Sequence, residues 1–150
     1  MIKTLRTKDV YDVIKTITSI TSLVTVFNQK PSEEYINKNI PNWSYIYLSK
    51  ITDTPTTASF SWYMQKIARL QFNIVSKTNF WAWESAESIL MDIIDAINNA
   101  IANESCLKIT TRWVQVSSVL EDAQSPIFYW TKDRPYIAKD YLFIYWGIDD

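Results

Sequence analysis

One glycine, Gly147, serves a chain of 150 residues. Glycine enters left-handed backbone without steric cost, so tight turns here must rely on Asn, Asp and Pro. The same scarcity excludes the glycine-rich loops that cradle phosphate in nucleotide-binding folds. Two further absences narrow the chemistry. There is no histidine, hence no imidazole base, no Ser-His-Asp triad and no His-ligated zinc. The lone cysteine, Cys106, forms neither an intrachain disulfide nor a CxxC site, and reads as a structural thiol. Against these gaps stand seven Trp, nine Tyr and six Phe. Such a chain suits an interaction protein better than an enzyme, so no catalytic residue, metal ligand or cofactor site is expected.

The length fits one domain, 1–150, able to bury roughly 70% of its unfolded surface. No apolar stretch approaches the ~20 residues that span a bilayer. The opening Met-Ile-Lys-Thr-Leu-Arg-Thr-Lys-Asp places charge where a signal peptide keeps its apolar core. Synthesis in the cytoplasm without a membrane anchor is the expectation. A net charge of −1 argues against a general nucleic-acid binder. The charge is unevenly spread, however. Residues 1–80 hold ten Lys/Arg against five Asp/Glu, and residues 81–150 hold five against eleven. Either folding intermixes the two halves, or a protomer with unlike faces docks head-to-tail on its copy.

Apolar positions Val10, Val13, Ile14, Ile17 and Ile20 follow the i, i+3, i+4, i+7 spacing of an amphipathic helix, with Thr7 as its cap. A β-branched run weakens that helix near Ser19 to Ser22, and Leu23 to Phe27 reads as a strand. The polar stretch 28–42 reads as a loop with one helical turn around Ser32 to Ile36. Trp43 to Lys50 is an aromatic strand. The Thr-rich segment 52–58 breaks the pattern, and alternation returns through Ala68, Leu70, Phe72 and Ile74. A long hairpin with a projecting arm over about 48–66 follows. Ser85 caps the clearest helix, with Ile89, Leu90, Ile93, Ile94, Ile97 and Ile101 on one stripe and Asn103 at its exit. Leu107 to Val119 is a strand, 121–126 a turn, Ile127 to Trp130 a short strand, and Lys139 to Gly147 a strong closing strand. Strands joined by turns pair antiparallel, and two amphipathic helices must both bury a stripe. The expected fold is α+β: an antiparallel sheet of four to six strands, two helices on one face, and a projecting β-hairpin.

Carboxylate pairs are the remaining option for chemistry. Asp92 and Asp95 are neighbours at i, i+3 on the wet face of the second helix, where negative charge is commonplace. Glu121-Asp122 reads as a solvated turn. Most tryptophans belong in the core: Trp43, Trp113 and Trp146 are expected against helices. Trp62 and Tyr63, beside the polar arm, read as interface anchors together with Lys66 and Arg69; Lys66, Arg69 and Lys77 are too sparse for a phosphate track.

The order of elements carries a resemblance. An N-terminal amphipathic helix, Val10 to Ile20, runs into the strand Leu23 to Phe27. A polar segment ends in a proline before an aromatic strand, Ile40-Pro41-Asn42-Trp43-Ser44-Tyr45-Ile46-Tyr47. An Arg-containing alternating strand, Ala68-Arg69-Leu70-Gln71-Phe72-Asn73-Ile74, follows a Thr-rich hairpin. A helix, Ser85 to Asn103, and two or three closing strands complete it. In this plan the chain resembles the tail terminator, or tail completion, proteins of long-tailed phages. It departs from them in its scarcity of glycine and its heavy aromatic load. The resemblance implies a homo-oligomeric, hexameric ring in the virion that caps the tail tube, ends its polymerisation and offers a surface for head joining. The implied partners are copies of itself, the tail tube protein and head-side connector proteins. Double-stranded DNA passes only as cargo, through a lumen whose neutral or acidic wall would draw on Asp92, Asp95, Glu121 or Asp122. A head-tail neck protein and a monomeric aromatic-rich binding module are the alternatives.

Overall fold

The structure, a computed structural model, describes residues 3–41, 43–60, 63–77, 85–102, 109–111, 113–131 and 134–148, the side chains of 57–60 excepted. In chain order its elements are α1 (Thr7–Ile14), α2 (Thr18–Thr21), β1 (Thr25–Phe27), α3 (Glu33–Asn39), β2 (Tyr45–Phe60), β3 (Tyr63–Val75), α4 (Ala86–Ala102), β4 (Val114–Gln124), β5 (Phe128–Tyr129) and β6 (Pro135–Ile148). The strands make one open sheet in the order β1-β2-β3-β6-β4, with β5 also on β6. The α+β class, the mostly antiparallel sheet and the hairpin are as expected.

Local chemistry explains where the helices begin and end. The stripe read as one N-terminal helix is two, because Ile17 takes extended backbone (φ −87°, ψ 103°) between α1 and α2. Thr16 contributes to the break: its Oγ1 donates to the Val13 carbonyl at 2.6 Å, competing with continuation of the helix. The cap of α1 is Arg6 rather than Thr7, since the Asp9 carboxylate accepts from the Arg6 backbone N–H at 2.9 Å. In α4 the Ser85 hydroxyl accepts from the Ser88 N–H at 3.1 Å, and Ile89, Leu90, Ile93, Ile94 and Ile97 are buried. The expected exit at Asn103 lies outside the described residues.

The sheet departs from expectation in three places. β1 and β2 are parallel, because α3 carries the chain back between them as a crossover; Ser32 Oγ caps that helix, accepting from the Tyr35 N–H at 3.1 Å. The Thr-rich segment lies inside β2, where register shifts at Lys50/Thr52 and Pro55/Ser59 absorb the broken pattern as bulges. The hairpin arm is therefore longer than the Thr-rich stretch. β6 accompanies its β3 side as far as the Tyr63↔Ile148 pair. Finally, Glu121 and Asp122 are not a turn. They belong to β4, whose ladder with β6 runs to Gln124↔Lys139.

One face of the sheet holds the main core. Leu70 and Phe72 of β3, Tyr141, Phe143 and Tyr145 of β6, and Ile46 and Leu48 of β2 pack against Val10, Ile14 and Ile20 and against the α4 stripe. Polar groups inside this layer are partnered. The Tyr141 hydroxyl donates to Asn98 Oδ1 at 2.8 Å and the Tyr145 hydroxyl to Asp53 Oδ2 at 2.6 Å. Burial pushes both hydroxyls above the ordinary tyrosine pKa, and the Asp53 carboxylate adds to that at Tyr145. A second, small cluster of Ile36, Tyr45 and Val75 lies on the opposite face at one end, under α3.

Candidate protein interface

Strand alternation gives the sheet a second face, and among the described helices only α3 covers part of it. Ile67 sits opposite Ile144, Gln65 opposite Trp146 and Arg69 opposite Leu142. These side chains are half-buried, and Leu120, opposite Leu142, is 50% exposed. The middle of this face is laced by polar contacts: Gln71 Nε2 donates to Asp140 Oδ1 at 3.0 Å, and Arg69 pairs with Asp122 at 2.7 Å. Such a face is neither finished core nor ordinary polar surface.

The residues expected to form a site do not come together. Trp62 lies outside the described residues. Tyr63 is exposed at the start of β3. Lys66 and Arg69, three apart on one strand, point to opposite faces. Arg69 is taken up by Asp122, so an expected interface cation neutralises an expected lumen carboxylate. Glu121 is held by Lys139, which is buried on the helix side. Asp92 and Asp95 are exposed on α4, as expected, and no ion pair reaches them among the described residues. Two tryptophan expectations are corrected. Trp43 precedes β2 and is 41% exposed, and Trp146 faces away from the helices. Trp113 does pack on the main core. Cys106, Trp81 and Trp83 fall outside the described residues.

What sequence reasoning missed is a lobe at the α3 end of the sheet. Ile127, Phe128, Tyr129 and Trp130 are exposed in a row. The available signal was four consecutive large apolar residues in one short strand, whose alternating sides cannot all enter one core. Two backbone hydrogen bonds close the lobe, Trp130 N–H donating to the Arg134 carbonyl at 3.2 Å and Arg134 N–H to the Thr131 carbonyl at 3.1 Å. The rings of Phe128 and Trp130 pack on Tyr136, with centroids 5.4 and 4.8 Å away.

Beside Trp130 opens a pocket of about 370 Å³, lined by Lys30, Ile36, Tyr45, Lys77 and Arg134 among others, with Glu33 the one carboxylate among the described lining residues. Arg134 anchors it. Its Nη2 donates to the Pro41 carbonyl at 3.0 Å, and its guanidinium lies over the Tyr45 ring at 5.6 Å. Its Nη1 is buried with no hydrogen-bond partner among the described residues. Burial pushes the Tyr45 hydroxyl up to about 12, against the opposing pull of the Arg134 charge. Cations beside the half-exposed Trp130 ring can hold a carboxylate flanked by an apolar group, the composition of binding hot spots. No protein-family model matches the chain, and no curated protein matches its sequence.

Proposed function

We propose that this chain is a structural virion protein, a tail terminator: a ring, hexameric in its family, that caps the phage tail tube, stops its polymerisation and presents a surface for head joining. The observation that carries the reading is the unfinished surface. Among the described residues, a sheet face bearing Ile67, Ile144, Leu142 and Leu120 lies next to the exposed run 127–130, the kind of contiguous apolar surface that marks an interaction site. The element order that carries the resemblance supports it as well: short helices into β1, a proline before the aromatic strand β2, the Arg69 strand β3, α4, then closing strands. The lumen needs only a wall that does not trap phosphate. Asp122, compensated by Arg69 on the open face, meets that need; Glu121, adjacent to it on β4, pairs with Lys139 on the other side of the sheet.

The test is assembly. Added to growing tail tubes, the protein should bind one end and halt elongation. A phage lacking it should make overlong tails that fail to gain heads. Tails of normal length that join heads in its absence would refute the reading. Binding of a small ligand to the 370 Å³ pocket with no effect on tubes would instead favour the monomeric module.

A further inference from the structure

Two exposed surfaces of the protomer carry opposite charge and cannot meet within one chain. The first is the pocket beside Trp130, whose described lining includes Lys30, Lys77 and Arg134 against one carboxylate, Glu33. The second is the outer strip of α4. Helical spacing sets Glu87, Met91 and Asp95 in one row with Asp92 alongside, all four exposed, and Met91 leaves 43% of its surface in water among carboxylates. The two surfaces belong to opposite faces of the sheet. The pocket adjoins Tyr45, which packs with Ile36 and Val75 under α3. α4 packs with Ile46 and Ile74, the alternate neighbours of Tyr45 and Val75 along their strands. The sheet therefore stands between them.

We propose that the α4 strip of one copy docks into the Trp130 pocket of a second copy. Asp92 and Asp95 face the positive charge of Lys30 and Arg134 along the pocket lining. Met91 lies against the Trp130 ring, a sulfur–aromatic contact. The match is one of charge and of apolar centre together: an acidic row around a thioether against a basic rim around an indole. Because the two patches differ, the contact is heterologous. Every open assembly keeps one free strip and one free pocket, and only a ring satisfies all of them. The inference rests on the reading of a self-assembling protein, and it assigns Asp92 and Asp95 to the subunit contact instead of the lumen.

Complementary variants test it. Lys30→Ala with Trp130→Ala damages only the pocket, and Asp92→Lys with Asp95→Lys damages only the strip; all four positions are exposed, and circular dichroism with thermal melting checks that both variants fold. In sedimentation velocity the wild type should associate beyond a dimer, more weakly as salt is raised. Each variant alone should associate about a hundredfold more weakly. Their equimolar mixture should form a dimer that grows no further, since it contains one intact strip facing one intact pocket. The proposal is overturned if either variant associates as tightly as the wild type, if the mixture stays monomeric where the wild type assembles, or if the wild type is monomeric even at millimolar concentration. The tail reading fails separately. Rings that depend on these residues but leave tube length unchanged would sink that reading and keep the contact. Normal tails built with the strip variant would do the reverse.

Discussion

The two faces of β6 are nearly equal in apolar content and opposite in fate. Tyr141, Phe143 and Tyr145 are wholly buried under the helices, while Leu142, Ile144 and Trp146, interleaved with them, remain half-buried on the uncovered side. The ladders to β3 and β4 serve both faces alike, so hydrogen bonding does not distinguish them. The helices do. α1, α2 and α4 complete one layer, and α3 covers only an end of the other. A strand this apolar on both sides is what central strands have when both faces are packed. Among the described residues, no second layer completes this face beyond the end under α3.

The largest effect that separates the faces is truncation. Phe143→Ala opens a cavity in the main core and should cost about 3–5 kcal/mol. Ile144→Ala, one residue away, should cost about 1 kcal/mol in the monomer. Urea unfolding of both variants measures the contrast, and equal losses would mean that the second face is core after all. A smaller effect sharpens the comparison in alkali. A folded-state pKa raised above the unfolded value near 10 means that the neutral hydroxyl is favoured by folding. That stability is fully present below about pH 10 and is lost as the pH climbs through the folded value, about 12 for Tyr45. The melting temperature should therefore hold to pH 9 and decline above pH 10. Tyr45→Phe should make the decline shallower by removing the α3-side contribution, and Tyr141→Phe by removing the helix-side one. If neither changes the slope, the alkaline loss arises elsewhere. The smallest effect belongs to Arg69→Ala, which breaks the partly exposed pair with Asp122 and should shift stability by no more than about 1 kcal/mol. A larger loss would mark that pair as a clamp between β3 and β4 across the open face.

Legibility from sequence followed how local each signal was. α4 was readable because its stripe is unbroken and Ser85 supplies the cap within three residues. The alternation of β3 and β6 was readable for the same reason. Misreadings arose where a distant partner decides. Glu121-Asp122 looks like a turn until Lys139 and Arg69 are brought beside it from other strands. Trp43 looks like a strand residue until the chain is seen to enter β2 only at Tyr45. The Trp130 pocket draws on residues 30 to 134, and no window of the sequence contains it.

By itself the sequence determined periodicity: which segments coil, which extend, and that both sides of β6 are apolar. Tertiary structure alone decided that β6 inserts between β3 and β4, that β1 runs parallel to β2, and which side of the sheet the helices cover. The physical reason is that a turn or stripe is settled by neighbours a few residues apart. Strand order and layering depend on closing long loops, and their entropic cost is recovered only when the whole core packs.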